Sequence, residues 1–311
     1  MIFVEPPWLT ACDFAGRCDP LEGEDTTMTL HDVLTDLYAP IKGISDRTVT
    51  LYEFTLAAFG EFLGHAPTTS DLEQLVVAKF LAWRLRNRSP ATAAKDRAQL
   101  RALWDFCARE RLVDKFPTVR TIVVPERIPQ AWLSDEMQRL IASAGQEVGV
   151  IDGVPAGDFF RAMLLVCYDT GERSGAVLSL PWSNVRGQQV IFSAEERKGR
   201  RRDIVRTISE STAAALEKIR EPYRDLVFPW PWARSVLYHR MNRVLKRAGL
   251  PNDRKSKFHR IRKTTASYFA AAGGDAQRLL DHSSPAVTRR YLDPRIVAPD
   301  LDAPAVLPRV C

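Results

Sequence analysis

The stretch VDKFPTVRTIVVPERIPQ, residues 113–130, constrains this chain most. It sets three prolines and a β-branched run between two long regions of helical periodicity. A proline inside a helix removes a backbone donor and clashes with the preceding turn, so no helix runs through this stretch. The 311 residues therefore divide, with the boundary near residue 125 and a linker over 119–132.

Before the linker the pattern is helical. Residues 1–27 are rich in proline and acid with no sustained period, and they are expected to form an irregular arm. From there to residue 118 an all-α domain is predicted. Leu30, Val33, Leu34, Leu37 and Tyr38 share one helical face, and Ser45 caps a helix carrying Tyr52, Leu56, Phe59 and Leu63. Ser70 and Glu73 form an S-x-x-E capping box before Leu75, Phe80 and Trp83. Ser89-Pro90 places a cap ahead of a proline at the first helical position, opening a helix with Leu100, Leu103, Trp104 and Cys107 inward.

Beyond the linker, residues 133–295 are expected to form an α+β domain. A helix follows Ser134, and an apolar helix spans Phe159 to Tyr168. GQQVIFSAEERKGRRRDIVRTI then marks two short strands around a basic turn. Helices resume in RSVLYHRMNRVLKRAGL, HRIRKTTASYFAAAGG and DAQRLLDH, and a last one begins at Ser284-Pro285 and carries Tyr291. The tail, 296–311, holds prolines among apolar residues, consistent equally with docking and with disorder. The whole is a mainly α protein with one small antiparallel sheet.

Charge is divided unequally. Lys and Arg outnumber Asp and Glu by 44 to 38, but residues 1–125 carry a net −3 and residues 126–311 a net +9. A basic half of this kind suits a polyanion such as nucleic acid, as well as an ordinary solvated face. No apolar run approaches the roughly 18 residues of a membrane span, and no basic start precedes an apolar stretch, so a cytoplasmic, nucleoid-associated protein is expected. The sequence has no Gly-rich phosphate loop, no Cys or His pair at metal spacing and no G-x-S-x-G elbow. No cofactor is expected.

The second half does carry a dispersed cationic set. Arg173 follows a glycine at a helix break in TGERSG, Lys198 sits in the basic turn, and His259 and Arg262 stand three apart on one helix. His282 ends a short helix shortly before Tyr291. Singly, each has an ordinary structural meaning: Arg173 an ion-pair partner, Lys198 with Arg200, Arg201 and Arg202 a solvated turn, Tyr291 a half-buried aromatic.

In sequence order, YDTGERSGAVLSLPWSNV, HRIRKTTASYF and LLDHSSPAVTRRYLD resemble the motifs of the tyrosine recombinase, or phage integrase, family. SPATAAKDRAQLRALWDFCARERLV also resembles the last helix of that family's amino-terminal core-binding, SAM-like DNA-binding domain. The resemblance implies an integrase-type catalytic domain with Arg173, Lys198, His259, Arg262, His282 and Tyr291 as catalytic residues. It implies double-stranded DNA as substrate, a 3′-phosphotyrosyl intermediate formed without metal or ATP, and a synaptic tetramer. Lys95, Arg97, Arg101, Arg200 and Arg201 are candidate DNA contacts. Two departures stand out: the family's usual Leu-Gly-His is here Leu280-Asp281-His282, a sequence expected to resist a left-handed turn, and the segment between Arg262 and His282 is a few residues shorter than usual. A non-cleaving DNA-binding protein and a type IB topoisomerase are the alternatives.

Overall fold

The computed structural model describes residues 27–196 and 202–297. The chain forms two compact units, Met1–Glu126 and Arg127–Cys311.

In the first unit a helix opens at Leu30–Asp32, widens into a π turn over Val33–Tyr38 and closes as α over Ala39–Lys42. Pro40 offers no N–H to an α ladder, and the wider turn lies directly before it. Helices Asp46–Leu63, Gln74–Asn87 and Pro90–Arg109 follow. Ser89 caps the last of these, accepting from the Thr92 N–H at 3.2 Å. The expected Ser70–Glu73 box does not form. Thr68 and Asp71 make the box instead, around a 3-10 turn at Thr69–Asp71, and Glu73 itself becomes the cap of the next helix. That shift turns Leu75 outward, 63% exposed, while Val77, Phe80, Leu81 and Arg84 are buried. The core gathers Leu30, Phe59, Phe80, Leu100, Leu103 and Trp104; Phe59 and Phe80 lie 5.0 Å apart, ring centre to ring centre.

The second unit is built around the Ala156–Thr170 helix, buried on nearly every side because helices Ser134–Ala144, Glu210–Lys218 and Phe258–Ala271 pack on it. A three-stranded antiparallel sheet, Val185–Arg186, Gln189–Phe192 and Ile204–Thr207, pairs Phe192 with Ile204 and Val190 with Arg206. A second sheet, not expected from the sequence, is the hairpin Val150–Ile151 with Val154–Pro155, turned by Asp152 and Gly153, both at positive φ. Helices Arg234–Arg247, Ala276–Leu280 and Pro285–Arg289 complete the unit. Tyr291 does not ride on the last helix as expected; it lies in the turn beyond Arg289. Pro294 disfavours a helical conformation at Asp293, and the buried Asp293 carboxylate is held elsewhere in the unit. Among the described residues no helix is long and apolar enough to cross a membrane.

Candidate active site

The Ala156–Thr170 helix stops at Gly171, φ 64, where an added Cβ would meet Thr265 Cγ2 at 3.4 Å and Leu280 Cδ2 at 3.6 Å. The chain then turns through buried Glu172 to half-buried Arg173, which begins the short Ser174–Leu178 helix. Gly171 also gives its carbonyl to Arg262. The Arg262 guanidinium, 1% exposed, donates from Nη1 to Gly171 O and from Nη2 to Leu280 O at 2.6 Å. One side chain thus staples the segment before Arg173 to the segment before His282.

A charge so deeply buried is costly unless it is met. Glu172 Oε2 lies 3.9 Å from Arg262 Nη1. Burial, and then the like charge of Arg173, pull the Arg262 pKa down to about 10; Glu172 and the Tyr291 side chain act in the opposite direction. Arg262 stays a cation at neutral pH, with its Nε lacking a partner.

Tyr291 is surrounded by the other motifs. Its ring centre lies 5.0 Å from that of His259 and 4.6 Å from that of His282, with the Arg262 guanidinium carbon 5.8 Å away. One side of the ring packs with Ala266, Ala276 and Leu280. The half-buried aromatic expected of a structural tyrosine is therefore present, in the middle of a cationic cluster. His282 Nδ1 bonds with Thr288 Oγ1 at 3.1 Å, whereas its Nε2 is buried with no partner.

Both histidines are held below their usual range, each to about 4. Desolvation leads in both, by the surrounding protein in each case, although His259 is exposed to solvent and His282 is half-buried. Lys263, Arg262 and Arg173 then act on His259; Arg262 and Arg173 act on His282, where Asp281 opposes them. Each imidazole is neutral at pH 7.

Asp281 corrects the expectation from the altered motif. It does adopt the left-handed conformation, φ 52 and ψ 47, closing the Ala276–Leu280 helix where glycine is usual. Aspartate is among the few residues that enter this region at modest cost. Its carboxylate pairs with Arg202 at 2.9 Å, and Arg206 donates to the Leu279 carbonyl, so the basic hairpin is fastened at two points to the segment ahead of His282.

The structure thus gathers His259, Arg262, His282 and Tyr291, with the charge of Arg173 acting on the first three of them; Lys198, Arg200 and Arg201 lie outside the described residues. In the first unit, Lys95 Nζ is 2.9 Å from fully buried Asp96, which Arg84 also meets at 2.6 Å. Arg97 donates to the carbonyls of Val119 and Arg120. Arg101 is exposed. Glu172, Thr288, Ser267 and Asp293 support the site and were not expected. Of these only Glu172, adjoining Arg173, carried a local signal. Among the described residues no group of three or more His, Cys, Asp and Glu side chains could hold a metal ion.

Comparison with known proteins places the chain in a family and a fold. The phage integrase family pattern matches residues 133–296, and that of the phage integrase N-terminal SAM-like domain matches residues 38–111. Tyrosine recombinase XerD of Shewanella oneidensis is 25% identical over 293 residues, covering 88% of this chain and 92% of its own. XerD of Haemophilus influenzae is 26% identical over 284 residues, covering 85% and 93%. A lambda integrase dimer bound to a COC′ core site shares the fold with TM-score 0.67 at 20% identity, over 89% of this chain and 80% of that one. XerH bound to its difH substrate gives 0.62 at 17%, over 84% and 81%. With its family pattern spanning more than half of its length, the chain belongs to the phage integrase family, the tyrosine recombinases.

Proposed function

We propose that this chain is a site-specific recombinase that cleaves and rejoins double-stranded DNA through a 3′-phosphotyrosyl bond to Tyr291. The observation that carries the reading is the convergence of His259, Arg262 and His282, from two separate segments, on the Tyr291 ring. Arg173, from a third segment, adds its charge to the same cluster.

In the proposed step the Tyr291 oxygen bonds to phosphorus as the bond from phosphorus to the 5′ oxygen breaks. A tyrosine hydroxyl, with a reference pKa of about 10, needs a base. Neutral His259 can accept its proton. Arg173 and Arg262 grip the non-bridging oxygens and offset charge that grows in the transition state. If Thr288 donates to His282 Nδ1, the unpartnered Nε2 carries the hydrogen and is free to donate to the phosphate. Lys198, expected in the turn between the strands ending at Phe192 and beginning at Ile204, protonates the leaving 5′ oxygen. One phosphoester replaces another, so these steps need no ATP, and the Arg173 and Arg262 cations supply the charge stabilisation that a metal ion would otherwise give. Attack by a 5′ hydroxyl from a second duplex reverses the chemistry and exchanges strands.

The basic second half supports DNA as the partner and a place on the nucleoid. Arg101, with Arg200 and Arg201, is proposed to contact phosphates. A synaptic tetramer is proposed as well; a lambda integrase tetramer bound to a Holliday junction is among the similar solved structures. A duplex nicked beside the cleavage position tests the reading, because the cut strand escapes and the adduct accumulates. A phosphotyrosyl peptide containing Tyr291 is expected. Binding without any adduct would make the chain a non-cleaving DNA-binding protein, and plasmid relaxation without strand exchange would make it topoisomerase-like.

A further inference from the structure

Tyr291 stands outside any helix, yet a nucleophile must be held in line with the bond it breaks. On its amino-terminal side the backbone is fixed by Tyr291 N–H to the Thr288 carbonyl, 2.8 Å. On the other side lies a network that the reaction scheme does not use. Ser267 Oγ donates to the Tyr291 carbonyl at 3.2 Å and accepts from the Asp293 N–H at 2.9 Å, so one hydroxyl grips the chain on both sides of Leu292.

Asp293 is 0% exposed. Its Oδ2 accepts from the Ala131 N–H at 2.7 Å and from Arg295 Nη2 at 2.7 Å, and its Oδ1 from Arg295 Nε at 3.1 Å. The Ala131 carbonyl accepts in turn from Arg295 and Arg260, each at 3.1 Å. Trp132 N–H donates to Thr264 Oγ1 at 2.8 Å, and the Arg260 guanidinium lies 3.6 Å from the centre of the Trp132 ring. Arg260 and Thr264 belong to the helix that carries His259 and Arg262.

We infer that Asp293 is a positioning residue for Tyr291: it locks the chain beyond the tyrosine to Ala131 and to the helix that carries His259 and Arg262. A buried carboxylate is a poor way to gain stability alone, since its desolvation offsets most of its attraction to a partner. What this one adds is direction. It clamps the loop bearing the reactive oxygen to the element that presents the phosphate-binding groups. Because Ala131 follows directly on the proline-rich stretch, the same bond ties the placement of Tyr291 to the path of the chain entering this unit.

The inference rests on Tyr291 being the nucleophile, and the test separates the two. Cleavage of the nicked duplex is followed in a single turnover at saturating full-length protein, for wild type, Asp293→Ala, Asp293→Asn, Ser267→Ala and Tyr291→Phe. The rate constant is read apart from the amplitude, because misfolded protein lowers only the amplitude. A displacement near 1 Å costs on the order of a hundredfold. Asp293→Ala is expected to slow the rate constant by about ten- to a hundredfold at unchanged DNA affinity. Asp293→Asn, which keeps an acceptor for Ala131, should recover part of the loss, and Ser267→Ala should fall between Asn and Ala. If Asp293→Ala does not fold, Ser267→Ala decides alone, since it removes one hydroxyl. Rate constants within twofold of wild type, with only amplitude or melting temperature reduced, would overturn the inference while leaving Tyr291 the nucleophile. A wild-type protein that forms no adduct, or a Tyr291→Phe protein that does, would instead remove the reading beneath it.

Discussion

Arg262 donates to the carbonyls of both Gly171 and Leu280, joining two segments more than a hundred residues apart in the chain. The same guanidinium that is proposed to bind phosphate therefore also builds the site. Arg262→Ala would remove the cation beside buried Glu172 and the donors that meet the Gly171 and Leu280 carbonyls, so a loss of about 3–5 kcal/mol in unfolding free energy is expected. Arg173 is only half-buried and makes no such staple. Arg173→Ala should change stability by less than about 1 kcal/mol and still lower the cleavage rate constant. Denaturant melts beside single-turnover cleavage check the contrast; equal stability losses in the two variants would contradict it.

The two histidines give the free protein a specific response to acid. Their folded pKa values, near 4, lie below the reference value of 6.5. The unfolded chain therefore takes up protons first as the pH falls, and stability present above about pH 6.5 is lost progressively toward pH 4. Melting temperature measured across that window should decline, and the His259→Gln, His282→Gln double variant should flatten the decline. In the wild-type protein both imidazole resonances should titrate well below pH 6.5. Titration of either at its reference value would contradict the packing described around Tyr291.

At position 281 the backbone conformation and the ion pair act in opposite directions. Glycine would relieve the left-handed strain but lose the pair with Arg202, an exposed partner whose contribution is about 0–1 kcal/mol. Asp281→Gly is expected to stay within about 1 kcal/mol of wild type. Asp281→Val, which places a β-branched side chain at φ 52, should cost about 1–2 kcal/mol. A valine variant as stable as the glycine variant would show that the turn is not held left-handed.

On the Pro90–Arg109 helix, Arg101 is exposed while Lys95 is engaged by Asp96. Arg101→Ala should weaken DNA binding evenly across sequences and reduce the salt slope by about one. Lys95→Ala should weaken it less. Affinities measured over a salt series distinguish the two residues, and a larger loss at Lys95 would reverse their assignment.

What the sequence revealed was mostly local. Ser89-Pro90 marks a helix start because cap and proline act within one turn, and the buried faces of the Pro90–Arg109 and Ala156–Thr170 helices follow from periodicity. The order of three motifs was enough to bring Arg173, His259, Arg262, His282 and Tyr291 forward. Other features depended on contacts that no local pattern encodes. Leu75 turns outward because an intervening 3-10 turn moves the start of its helix, and a local capping box does not show which of two overlapping boxes forms. Asp293 is silent in sequence because one of its partners, Ala131, lies 162 positions away. The left-handed Asp281 is legible only once Arg202 and Arg206 are seen to fasten the hairpin beside it.

The central claim is that the oxygen of Tyr291, more than its ring, is what matters. Tyr291→Phe keeps the ring that packs with Ala266, Ala276 and Leu280 and removes one atom. The decisive measurement is the covalent protein–DNA band formed on a nicked duplex, taken with the melting temperature and DNA affinity of the same preparation. A folded, DNA-binding Tyr291→Phe protein that forms no band is the predicted result. A phosphotyrosyl band of wild-type intensity from that variant would contradict it, and would pass the role to another tyrosine, with Tyr268 on the His259 helix the first to test.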